Sequence, residues 1–207
     1  MISFIYFDVG GVLIKDFSKT NKWELMKRDL GIRPERDIEV DLFFDEYEPK
    51  GNAGLPIESL IPLFEKNFGI KLPANCSLNE EFAIRFEKNL DIWPLVSHQT
   101  LTHKVGLLTN MYPGLLSSIK EHGLLPQTNY DVVIDSSQVG YAKPFPEIYQ
   151  VAQDKAAVPA NEILFVDNTD KNLTVPKHLG WQTFLFDSLD YPKSTQALSD
   201  FLDNLSN

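Results

Sequence analysis

Ser3-Phe4-Ile5-Tyr6-Phe7-Asp8-Val9-Gly10-Gly11-Val12 is the stretch on which the fold turns. Residues 3 to 7 form an apolar, aromatic and β-branched run that stops at an acid and a pair of glycines. Such a run reads as a buried strand that delivers a carboxylate to a Gly-rich turn. The pattern recurs twice. Val105-Gly106-Leu107-Leu108 runs into Thr109-Asn110, and Ile163-Leu164-Phe165-Val166 runs into Asp167-Asn168. Two more strands are predicted at Val132–Ile134 and Thr183–Phe186, with helices after Pro113, over about 144 to 156, from Asp170 to His178 and over 193 to 204. Alternation of this kind predicts an α/β fold: a mostly parallel sheet covered by helices on both faces. Ligands in such sheets gather at the carboxyl ends of the strands, where the three polar endings lie.

Residues 15 to 92 break that rhythm. Trp23, Met26 and Leu30 fit one helical face, Ile57, Leu60, Ile61, Phe64 and Phe68 a second, and Phe82, Phe86 and Leu90 a third. With the stretch from Leu42 to Tyr47, these predict about four helices and no strand. The segment reads as an all-α module inserted after the first strand, the chain returning through Asp91-Ile92-Trp93-Pro94. The expected division is a core of 1–14 and 93–207 with an insertion of 15–92.

The composition is that of a folded protein, with 43% hydrophobic and 12% aromatic residues. Lys and Arg total 19 against 29 Asp and Glu, a formal charge of −10 without a basic stripe, which argues against nucleic acid as partner. A small anionic ligand is still compatible, since one lysine and a few amides suffice to hold a phosphate. Cys76 is the only cysteine, so no internal disulfide forms and a cytoplasmic location is expected. The first residues lack a basic region, and their apolar run is too short for a secretory signal or a membrane span.

The chemistry lies in four segments: Phe7-Asp8-Val9-Gly10-Gly11-Val12, Leu107-Leu108-Thr109-Asn110, Gly140-Tyr141-Ala142-Lys143-Pro144 and Phe165-Val166-Asp167-Asn168. A carboxylate attacks phosphorus or an activated carbon and forms a covalent intermediate that water opens. A hydroxyl, backbone amides and a lysine stabilise the charge of the transferring group. A second carboxylate helps to hold a hard cation.

Asp, then Thr, then Lys-Pro, then an acidic strand end: in that order the motifs resemble those of the haloacid dehalogenase superfamily, and the likeness covers nearly the whole chain. Within it the chain is most similar to the sugar-phosphatase and epoxide-hydrolase-like branch. The resemblance implies a three-layer Rossmann-like core with an inserted helical cap, and a Mg²⁺-dependent phosphatase of a small phosphorylated metabolite. It implies Asp8 as nucleophile and metal ligand. Thr109 and Lys143 would share the catalytic work and, with Gly11 and Asn110, bind the phosphate. Gly10 through its carbonyl, Asp167 and Asn168 would complete the metal set. Two positions depart from the phosphatase pattern. Gly10 stands where a proton-moving Asp is usual, and Asn168 is an uncharged member of what is usually an acidic pair. Weaker Mg²⁺ binding and slower turnover are therefore expected. The alternatives from the same residues are a metal-free haloacid dehalogenase and a catalytically impaired binding protein of the same fold.

Overall fold

The computed structural model describes residues 1–206. In chain order the elements are β1 (Phe4–Phe7), β2 (Ile14–Lys15), α1 (Lys22–Asp29), α2 (Asp37–Asn52), α3 (Ile61–Phe68), α4 (Leu78–Ala83) and β3 (Glu87–Lys88). There follow α5 (Trp93–Gln99), β4 (Lys104–Thr109), α6 (Leu115–Glu121), β5 (Val132–Asp135), α7 (Ser136–Val139) and α8 (Pro146–Ala156). The chain closes with β6 (Ile163–Asp167), α9 (Asp170–Leu179), β7 (Gln182–Leu185) and α10 (Tyr191–Ser206).

Five strands pair in the order β5-β4-β1-β6-β7, every pair parallel. Both faces of β1 are buried, and the period of two sends its side chains into different cores. Phe4 and Tyr6 pack with Ile148, Tyr149 and Leu173 of α8 and α9. Ile5 and Phe7 pack with Val96, Leu116, Ile119 and Leu198 of α5, α6 and α10. The sheet is thus the middle of three layers, which is why its strands read as unbroken apolar runs.

Gly106 is fixed by this packing. A Cβ there would lie 2.7 Å from the Tyr6 ring and 2.8 Å from the Val132 carbonyl oxygen, which belongs to the neighbouring strand and does not swing away. Gly106→Ala is expected to cost about 1–3 kcal/mol by overpacking, measurable as a lower denaturation midpoint with an unchanged m-value.

The inserted helices have a core of their own. Met26, Val40, Phe43, Phe44, Phe64, Phe68 and Leu78 join α1 to α4. Phe82 and Tyr112 touch both this cluster and the one beneath the sheet. The sequence reading needs correction in two places. First, the connection includes strands: Ile14 pairs with Lys88 and Lys15 with Glu87, an antiparallel ribbon too short to show a period of two. Second, the stripe Phe82-Phe86-Leu90 is not one helix, because α4 ends at Ala83 and Leu90 is exposed. Asn89, buried at the ribbon's end, donates from Nδ2 to the Val12 carbonyl at 2.6 Å, a bond available only to the extended chain. Among the described residues no helix is long and apolar enough to cross a membrane.

Candidate active site

The register of the sheet assembles the site. Phe7 pairs with Leu107 on one side and Val166 on the other, so Asp8 lies level with Asp167 and one residue short of Thr109. The amide of Asp8 still donates to the Val166 carbonyl at 2.9 Å, extending the ladder to Asp8. Three strand ends thereby present two carboxylates and a hydroxyl at one edge of the sheet.

Lys143 enters from the loop between α7 and α8. Its Nζ lies 3.0 Å from Asp8 Oδ1 and 2.6 Å from Asp167 Oδ2. It is 5% exposed, Asp8 8% and Asp167 0%, so the ion triad sits almost wholly out of water. A buried charge is tolerated only when paired and hydrogen-bonded, and each member here is. Asn110 clamps the lysine's backbone: its Oδ1 accepts from the Lys143 amide at 2.8 Å and its Nδ2 donates to the Lys143 carbonyl at 3.0 Å. Asn172 steadies the other end, donating from Nδ2 to both oxygens of Asp167 at 3.2 Å, while the Thr169 amide donates to Asp167 Oδ1 at 2.7 Å.

Asp8 Oδ1 also accepts from the Val9 amide at 2.7 Å, whereas Oδ2 takes no hydrogen bond from the described residues. Burial pushes the Asp8 carboxyl up to about 6; Lys143 opposes the rise and the neighbouring charge of Asp167 adds to it. For Lys143, burial works against the ammonium, but the two carboxylates outweigh it and hold the pKa above its usual value. Asp8 is therefore an anion at neutral pH with one oxygen free to react, in an environment that makes the charge costly.

A cavity of about 590 Å³ opens above this floor. Of the residues named from the sequence, Asp8, Gly10, Thr109, Asn110 and Lys143 line it; Asp16, Trp23, Tyr112 and Asn172 also contribute. Asp16 lies at the end of β2, where its Oδ1 accepts from the Ser18 amide at 2.8 Å. Gly11 and Asn168 do not line the cavity. Alternation past the end of β6 turns Asn168 to the other side of the chain from Asp167, and its side chain packs over Gly11, whose φ of +73° and lack of a Cβ leave room for it. Asp167 is the floor's buried support and is not on the wall. Asn110 was expected to bind phosphate, and its clamp on Lys143 was not legible because that bond reaches a segment 33 residues away.

The donor set fits a hard divalent cation in charge and chemistry. Two carboxylates face one ammonium, which leaves an excess negative charge, and Asp8 and Gly10 line the cavity, so the carboxylate of one and the backbone of the other would be the oxygen donors. Asp167, with both oxygens already accepting, would act through water, as Mg²⁺ sites that keep their waters allow. Among the described residues no three His, Cys, Asp or Glu side chains gather as a ready-made ligand set.

No family model matches the chain. Among curated proteins it is 29% identical over 132 residues to bifunctional epoxide hydrolase 2 of Sus scrofa, a match that takes in 59% of this chain but 23% of that protein. The chain thus spans about a quarter of the length of the first relatives it matches. It is 27% identical over 197 residues to D-ribitol-5-phosphate phosphatase of Bacteroides thetaiotaomicron, covering 89% of this chain and 91% of the other. Among solved structures it superposes on a HAD-like family hydrolase from Porphyromonas gingivalis with a TM-score of 0.78 at 22% identity, over 98% of both chains. A HAD family enzyme from Bacteroides thetaiotaomicron, in complex with magnesium and inorganic phosphate, gives a TM-score of 0.75 at 18% identity, over 92% of this chain and 96% of that one. The chain shares the fold of these HAD-like family structures, and by sequence it is similar to the phosphatase and the epoxide hydrolase just described.

Proposed function

We propose that the chain is a phosphomonoesterase that works through a covalent aspartyl-phosphate on Asp8, with Mg²⁺ bound beside it. The observation that carries this reading is the floor itself: an ionised Asp8 with Oδ2 open to the cavity, fixed by Lys143 beside Thr109. The Thr109 hydroxyl makes no hydrogen bond to the described residues, so it is available to donate to a phosphoryl oxygen. Asp8 Oδ2 bonds to phosphorus while the ester P–O bond breaks, and the departing oxygen takes a proton from water. Water then attacks phosphorus, the bond to Asp8 breaks, and inorganic phosphate leaves. Lys143 balances the negative charge that Asp8 and the phosphoryl oxygens share. A bound Mg²⁺ would add charge stabilisation at those oxygens.

The metal-free dehalogenase reading is weaker, because no arginine lines the cavity to grip a carboxylate and a halide, and its one lysine is committed to two aspartates. We take residues 15–92 as the cap. Support for that division comes from the separate apolar core of α1 to α4 and from the β2–β3 ribbon at its base.

Hydrolysis of an aryl phosphate, with Mg²⁺ and after chelation, tests the reading. Turnover should depend on Mg²⁺, and Thr109→Val should lower kcat/KM about 100-fold by removing one donor to the phosphoryl group. Turnover that ignores both chelation and Thr109→Val would count against it.

A further inference from the structure

The roof of the cavity differs in kind from its floor. Helix α2 turns Asp41, Asp45, Glu48 and Asn52 toward the opening, at spacings that place them on one helical face. Asp41 is neutralised: its Oδ1 accepts from Lys27 Nζ at 2.9 Å and from Trp23 Nε1 at 2.6 Å. Asp45 and Glu48 make no ion pair among the described residues. Both carboxylates act on Tyr112, whose phenol is raised first by burial and then by Glu48 and Asp45. They therefore stand beside an aromatic wall formed by Trp23, Phe44, Phe82 and Tyr112. This roof is docked and not hanging free, since Gly51 of α2 presses against the Tyr112 ring so closely that a Cβ would overlap it.

At the other end of the same cavity Thr109 is 1% exposed, with its hydroxyl unpartnered and facing the space. That hydroxyl calls for a ligand, and a ligand resting on it extends toward the roof. Among the described residues Lys143, held by Asp8 and Asp167, is the one lysine that lines the cavity; Lys27, 5.5 Å over the Trp23 ring, is spent on Asp41, so Asp45 and Glu48 keep their charge uncompensated. A second phosphate or a carboxylate placed there would meet Asp45 and Glu48. An ammonium group would meet two carboxylates and several ring faces, the combination that holds organic cations.

We propose that the substrate is a phosphomonoester carrying an ammonium group, an aminoalkyl or amino-sugar phosphate. Its phosphate lies on Asp8, Thr109 and Lys143, and its amine lies between Asp45, Glu48 and the aromatic wall. This rests on the phosphatase reading above and narrows it to one substrate class.

The test uses pairs of compounds that differ in one group: 2-aminoethyl against 2-hydroxyethyl phosphate, and glucosamine 6-phosphate against glucose 6-phosphate. With Mg²⁺ at neutral pH, kcat/KM should favour the amine of each pair about tenfold, and the ratio should fall toward one in the double variant Asp45→Asn/Glu48→Gln. Calorimetry on Asp8→Asn with the same four compounds reads the preference without turnover. Turnover of both members at equal rates, or faster for the hydroxyl member, overturns the amine assignment and leaves the phosphatase reading standing. Absence of turnover with an amine preference in binding that the double variant abolishes supports the amine site and overturns the phosphatase reading. Absence of both turnover and amine-selective binding overturns both.

Discussion

Asp8→Asn is expected to abolish phosphate ester hydrolysis, by a factor of about 10³ or more, and at the same time to make the protein more stable at pH 7.5. The first effect follows from removing the nucleophile, since an amide oxygen forms no acyl phosphate. The second follows from linkage. The Asp8 carboxyl sits at about 6 against its ordinary 3.8, with burial as the main cause. A raised carboxyl pKa means that the native state binds more protons than the unfolded chain between pH 4 and 6, so stability falls as pH rises through that window. Above it the full cost stands, about 3 kcal/mol. An uncharged Asn of the same shape escapes the cost, while the Val9 amide and Lys143 keep an oxygen to donate to. Thermal unfolding of both proteins from pH 3.5 to 8 checks this. The variant's Tm should exceed the parent's by about 5–10 °C at pH 7.5, and the gain should vanish below pH 4.

Lys143→Met should be the most destabilising single change at the site. Asp8 and Asp167 both face its ammonium, and the side chain is almost wholly buried. Removing one partner of a buried ion pair leaves uncompensated charge and costs about 3–5 kcal/mol. With the cation gone, the two carboxylates repel one another and their protonation is favoured. The loss should thus be worst at pH 8 and shrink as pH falls toward 5. A second change, Asp167→Asn, removes one of the two stranded charges and should recover a large part of the stability without restoring hydrolysis. Denaturant titrations of the single and double variants at the two pH values measure both effects.

Much of this site was legible in the sequence because its parts lie at the ends of apolar runs. Asp8, Thr109 and Asp167 each close a buried strand, and parallel pairing in register brings strand ends together without further information. Lys143 was legible through the glycine and proline around it. What the sequence did not reveal depends on packing between segments far apart. Asn110 reads as a strand-end polar residue, and only the fold shows both ends of its amide spent on the Lys143 backbone. Asn168 reads as a partner of Asp167, yet the side-to-side alternation that buries one carries the other over Gly11. The aromatic residues of α2 drew attention first, and Phe43 and Phe44 went into the cap's own core. The polar face of the same helix drew no notice in the sequence; Asp45 and Glu48 are exposed there and line the cavity mouth. The last aromatic stripe failed for a plainer reason: helical spacing persists in sequence through residues that bridge a helix end and a short ribbon.

The central claim is that Asp8 takes the phosphoryl group onto its own carboxylate. The most direct measurement is to quench the protein during turnover of an aryl phosphate, reduce it with borohydride, and map the product by mass spectrometry. An acyl phosphate is reduced to the corresponding alcohol, and an unmodified carboxylate is not. The account predicts a reduced side chain at position 8 that is absent without substrate. Turnover with Asp8 unreduced, or with the reduced carboxylate elsewhere in the chain, would contradict it.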